Sequence, residues 1–159
     1  MGRRSDESRV MDELFVIQGE SGNYLQVAFR EVYGFPESTC SWGGYELRSA
    51  LEIKSGGFYV KSILFRSTGE LYELYQQLLL CNKSLTGSAS YITYENNLTM
   101  IAEYDNTGHV NISGRFAEQL GPDNALTFEF ATDQTFIQQT LKQLSQIVSK
   151  YGGMAGIKR

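Results

Sequence analysis

Apolar positions along the chain switch between a period of two and a helical period, and the switches predict ten elements in the order ββββαββββα. "ELFVIQ" and "YLQVAFREVY" flank the turn "GESGN" and read as a hairpin, with Leu25, Val27 and Phe29 on one face and Tyr24, Gln26 and Arg30 on the other. "YELRSALEIK" alternates throughout. Tyr45, Leu47, Ser49, Leu51 and Ile53 oppose Glu46, Arg48, Glu52 and Lys54, as in an antiparallel strand with one solvated face. After "SGG" comes "FYVKSILF", whose large residues on both faces predict a strand near the middle of a sheet.

At "STGELYELYQQLLL" the period changes. Ser67 and Glu70 stand in capping-box positions, and Leu71, Leu74, Tyr75 and Leu78 make the apolar stripe of a helix closed by Asn82 and Lys83. "SASYITYE", "LTMIAEY" and "HVNISGRF" follow as strands joined by the turns "NN" and "DNTG". Leu126, Phe128 and Phe130 then alternate with Thr127 and Glu129, and Phe136, Ile137, Leu141, Leu144, Ile147 and Val148 form the stripe of a long final helix. Thr132 or Asp133 is placed to cap that helix, with the carboxylate at the positive end of its dipole.

Strands joined by hairpin-length turns predict an α+β fold: a largely antiparallel, strongly twisted sheet of about eight strands with two amphipathic helices packed on one face. Two separate sheets are the alternative. Residues 1–11 read as a flexible polar lead, 12–150 as a single domain without repeats or linkers, and 151–159, with three glycines, as a flexible tail. The domain is long enough to bury roughly 70% of its unfolded surface without staples.

Charge sharpens the picture. The net charge is -4, but residues 12–149 hold eight basic and sixteen acidic side chains, a net of -8. So acidic a body repels phosphates and draws a basic partner, although such a charge also serves solubility. The aromatic strands are interleaved with Glu, Ser and Thr rather than with Lys and Arg, which argues against nucleic acid as a partner. No apolar run is long enough for a membrane span or a signal sequence, so a cytoplasmic location is expected, with Cys40 and Cys81 as free thiols.

Candidate chemistry is sparse. His109 has no serine or cysteine beside it, one histidine with two distant cysteines makes a poor zinc site, and Glu95, Glu103 and Asp105 more simply line a wet face than form a catalytic pair. No catalytic residue, metal or cofactor is expected. The segment "GFPESTCSWGG" is the longest irregular connection and carries Trp42, which is either an exposed anchor or a plug between sheet and helix. With the solvated edge it supplies the candidate partner-binding residues Tyr33, Glu37, Trp42, Glu46, Glu95, Glu103 and Asp105.

The stretch "NALTFEFATDQTFIQQTLKQL" resembles the family of bacterial immunity proteins grouped with the partner of the wall-associated toxin WapI. Asn124, Leu126, Phe128, Glu129, Phe130, Asp133, Gln134, Thr135, Phe136 and Ile137 match that family's strand, turn and terminal helix; weaker agreement runs through "GELYELYQQL" and "GHVNISGRF". The Trp42 loop does not match. The resemblance implies a cytoplasmic, non-enzymatic protein that neutralises the C-terminal domain of a cognate toxin, often a nuclease; a monomer or weak homodimer is expected. It assigns no contact residue. A binder of small molecules or an enzyme, with a pocket between sheet and helices, is the alternative, and a homo-oligomeric structural protein a weaker third.

Overall fold

A computed structural model describes residues 13–93, 95, 97–118 and 124–156. The expected lead, residues 1–11, lies outside them. The element order is β1 (Leu14–Gln18), β2 (Tyr24–Val32), β3 (Glu46–Ser55), β4 (Phe58–Ser67), α1 (Thr68–Ser84), β5 (Ser88–Ile92), β6 (Leu98–Tyr104), β7 (His109–Ala117), β8 (Ala125–Asp133) and α2 (Gln134–Tyr151). The α+β order is the expected one, and all pairings are antiparallel. The strands divide into two sheets of four, β1-β2-β3-β4 and β5-β6-β7-β8. That division is the arrangement the sequence left open as its alternative.

One core fills the space between the sheets. Phe15, Leu25, Val27, Leu51 and Ile53 from the first sheet join Tyr91, Met100, Ile112, Phe128 and Phe130 from the second, with Leu71, Leu74, Leu78, Ile137 and Leu144 entering from the helices. Phe15 meets Tyr91 edge to face at 6.5 Å between ring centroids. The fully buried Arg66 lays its guanidinium 5.0 Å over the same Tyr91 ring and donates from Nε to Ser49 Oγ. The core thus carries one cation, held on an aromatic face.

Each helix starts where the sequence places it. Ser67 accepts from the Glu70 N–H while the Glu70 carboxylate accepts from the Ser67 N–H. At α2, Asp133 is the cap: its carboxylate accepts from the N–H groups of Thr135 and Phe136. Thr132 lies inside β8, fully buried, and its hydroxyl donates to the carbonyl of Gln18.

The two halves repeat. In each, four strands lead to a helix whose first N–H donates to the residue preceding the third strand: Thr68 to Tyr45, and Gln134 to Gly108. The sequence shows no repeat because backbone hydrogen bonds, not side chains, carry the correspondence. The helices cross over. Gln77 of α1 brackets Ser90 of β5, accepting from its N–H at 2.9 Å and donating to its C=O at 3.0 Å. Gln143 and Thr140 of α2 treat Val16 of β1 the same way, at 2.8 and 2.6 Å. Each helix therefore closes the outer edge of the other half's first strand with side-chain groups that imitate a neighbouring strand.

Two expectations change. β4 is an outermost strand rather than a central one, and its large residues Phe58, Tyr59 and Ile63 are exposed. The sequence misleads there because an edge strand with both faces apolar has the same pattern as a covered one. Part of the expected loose tail is also packed: Tyr151 is a core residue against Phe29 and Phe35, and the Ala155 carbonyl accepts from the Gly44 N–H.

Candidate functional site

The connection between β2 and β3 is an ordered loop. Ser38 bonds back to Gly34, Cys40 to Gly44, and Gly69 at the start of α1 donates to the Gly43 carbonyl. Phe35 packs edge to face on Tyr45 and Tyr151, and the Tyr45 hydroxyl donates to the Pro36 carbonyl. These contacts fix the loop's base and leave Trp42 51% exposed at its surface, so it is not a plug between sheet and helix. In the second half the equivalent connection is the four-residue turn 105–108, so the loop is an elaboration of one half only.

The seven candidate residues do not form one patch. Tyr33, Glu37, Trp42 and Glu46 belong to the β2–β3 loop and its strand ends, where the Tyr33 N–H donates to the Glu46 carbonyl. Glu95 precedes β6 and Asp105 follows it, so they stand at opposite ends of a seven-residue strand, about 23 Å apart. Glu103 is on the outer face of β6 between Ser88 and Asn111. Asp105 serves its own turn. Its carboxylate accepts from the Thr107 hydroxyl and N–H and from the His109 N–H, and those bonds, the Thr107 hydroxyl first, hold its pKa below the ordinary value. His109 Nδ1 lies 2.8 Å from the Thr107 hydroxyl and 3.5 Å from Asp105. This is a closed local network that ties down a turn.

The outer face of the first sheet carries a second polar group. The hydroxyls of Tyr24 and Tyr59 both donate to Glu52 Oε1 at 3.1 Å. The Tyr24 phenol is raised chiefly by desolvation and then by Glu52; the Tyr59 phenol is raised first by its bond to Glu52. Both stay neutral donors at physiological pH. Among the described residues no cluster of His, Cys, Asp and Glu has the geometry to hold a metal.

What the sequence reading missed is a groove along β4. One half, about 380 Å³, lies between Phe58, Val60 and Lys61 on β4 and, on the other side, Phe116 and Leu126 of the second sheet with Glu118 just after β7. The other, about 410 Å³, continues past Ile63 and Phe65 against Glu95, Asn97 and the same Phe116 and Glu118. Of the seven expected contact residues only Glu95 lines it. A signal existed: "SGG" before an apolar strand predicts a two-residue hairpin, and a hairpin strand followed directly by a helix is a candidate edge.

Two antiparallel sheets sharing one core, with a groove lined by Lys61, Glu95 and Glu118 at one strand edge and an ordered Trp-bearing loop, define a class: a compact α+β module of two four-stranded halves, each ending in a helix. Residues 16–152 match the model of the Immunity protein WapI-like family, and the chain belongs to that family. The match covers every element from within β1 to the end of α2. No curated protein matches the chain.

Proposed function

We propose that the protein binds the C-terminal domain of a cognate toxin and neutralises it in the cytoplasm of the producing cell, as a binding protein rather than an enzyme. Membership of the WapI-like immunity family over residues 16–152 carries this reading. The excess of sixteen acidic over eight basic side chains in residues 12–149 supports a partner with a basic surface, such as a nuclease whose cleft would otherwise hold RNA or DNA. Occlusion of that cleft is the mechanism this charge serves best. A ligand held under the helices is disfavoured, because Leu71, Leu74, Leu78, Ile137 and Leu144 fill that space.

The test is co-expression with the toxin domain encoded by the adjacent upstream gene. A co-purifying one-to-one complex and rescue of growth are expected, with association slowing as salt rises. No complex and no rescue would remove the proposal.

A further inference from the structure

Four strands stand at the outer margins of the two sheets, and the described residues close three of them. β1 is bracketed by Thr140 and Gln143, and β5 by Gln77. β8 is met by the first sheet: the Ser55 hydroxyl donates to the Glu129 carbonyl, and Gly19 comes so close to Phe130 and the Ala131 carbonyl that a Cβ would not fit. β4 is the margin along which the groove runs.

The hairpin fixes which of its backbone groups face that groove. Gly56 and Gly57 form a two-residue turn between the paired residues Ser55 and Phe58, with Gly56 at φ 62° as a type II′ turn requires. In such a hairpin the closing pair exchanges hydrogen bonds, and bonded pairs recur at every second residue. Phe58, Val60, Ser62 and Leu64 therefore bond to β3, while Tyr59, Lys61, Ile63 and Phe65 turn their N–H and C=O groups outward. The internal repeat agrees. Counted back from the helix caps Ser67 and Asp133, Ile63 corresponds to Glu129; counted forward from the matching acceptors Tyr45 and Gly108, Ser55 corresponds to Glu118. Where Ser55 closes β8 in one half, Glu118 stands at the open groove in the other.

We propose that an extended, basic segment of the cognate toxin adds, as a fifth strand of the first sheet, to the edge of β4 whose outward backbone groups bond to none of the described residues. This rests on the immunity reading and names the surface that serves it. Main-chain pairing with Tyr59, Lys61, Ile63 and Phe65 supplies affinity over about 23 Å of edge. Phe116 and Leu126 offer an apolar wall to one side of the segment, and the two carboxylates Glu95 and Glu118, against the single cation Lys61 on β4, favour Lys or Arg on it. That excess of acid over base is what favours a basic toxin segment over other extended chains.

The test uses the full-length protein and the catalytically inactivated toxin domain from the adjacent gene. Amide exchange at residues 59, 61, 63 and 65 is expected to be fast in the free protein and about a hundredfold slower or more in the complex. Ile63→Pro removes an outward N–H without touching the β3 ladder and is expected to weaken binding about tenfold or more, with little change in unfolding midpoint. Ser62→Pro, which loses a ladder bond, should unfold far more easily. Glu118→Lys should weaken binding and flatten its salt dependence. If the toxin domain binds the wild type but these amides stay unprotected, or Ile63→Pro binds normally, the edge assignment falls while the immunity reading stands. If the wild type binds no toxin domain, the immunity reading itself falls. Protection in the free protein that disappears when residues 1–11 are deleted, or that grows with protein concentration, would mean that the chain's own lead or a second copy fills the edge, and would overturn the proposal. If Ile63→Pro does not fold, the exchange measurement on the wild type decides.

Discussion

Replacing Gln77 probes the closure of β5 most cleanly, because the two bonds at stake come from one side chain. Gln77 accepts from the Ser90 N–H and donates to the Ser90 C=O, and its amide also lies 3.3 Å from the Glu73 carbonyl, which holds it in place on α1. A partly exposed hydrogen bond contributes about 0.5–1.5 kcal/mol net, so Gln77→Ala should cost about 1–2 kcal/mol and lower the melting midpoint by about 3–6 °C for a domain of this size. Gln77→Glu is nearly isosteric and more telling. It keeps the acceptor for the Ser90 N–H but sets a carboxylate oxygen against the Ser90 carbonyl, so at pH 7 it should be at least as destabilising as alanine. Repulsion raises the pKa of the introduced carboxyl in the folded state, so stability should return as pH falls through that value and the oxygen becomes a donor. Urea midpoints for the wild type and both variants between pH 3 and 8 measure this. If Gln77→Glu is as stable as the wild type at pH 7, or shows no recovery in acid, the bracket contributes nothing and the edge is closed by packing alone.

Further outcomes follow from the same geometry. Asp133→Ala removes the acceptor for two N–H groups at the start of α2 and should cost about 1 kcal/mol by urea unfolding while leaving toxin affinity unchanged; lost affinity in a folded variant would make this word a contact instead of a joint. Gly114→Ala drives a Cβ into the Thr99 carbonyl and the Phe128 ring, and should cost about 1–3 kcal/mol; a neutral result would show that β6 and β7 separate easily there. Asp105 has a folded pKa below its ordinary value, so its contribution is present above the unfolded pKa and lost as pH falls through the folded one. Asp105→Asn should therefore flatten the acid limb of stability below the ordinary carboxyl value of 3.8, read as urea midpoint against pH.

Local rules carried most of the fold. The change of period at Ser67 and at Asp133 located both helices, because a capping residue followed by an apolar stripe has few other solutions. Alternation located the strands but not their neighbours. A strand such as β4, with Val60 and Leu64 on one face and Ile63 and Phe65 on the other, reads alike at the centre of a sheet and at its margin. Whether the eight strands close as one sheet or two depends on pairing between β4 and β5, which no residue pattern specifies. The candidate site was the least legible part. Exposed acids are alike in chemistry, and the structure scatters them: Glu95 lines the groove, Asp105 clamps a turn, and Glu103 sits on an outer face. The groove is made of backbone direction and of side chains from β4, β7 and β8, which come together only through the sandwich.

The repeat explains why the described residues leave one margin open. If the halves were equivalent, whatever closes β8 would also close β4. The β8 margin is closed by Ser55, small enough to reach the Glu129 carbonyl, and by Gly19, whose missing side chain lets the turn approach Ala131. At the corresponding places in the other half stand Glu118 and the turn that contains Glu95. A carboxylate cannot donate to a strand carbonyl at neutral pH, and two of them desolvated against each other would be costly, so this wall stands off from β4 and leaves a groove. The same substitutions that prevent self-closure create the affinity for a donor-rich, positively charged strand. Glu118→Ser should restore the missing closure: the introduced hydroxyl donating to the Ile63 carbonyl, slower amide exchange along β4 in the free protein, and weaker toxin binding. Gain of protection with undiminished affinity would separate the two and show that the open edge and the acidic wall act independently.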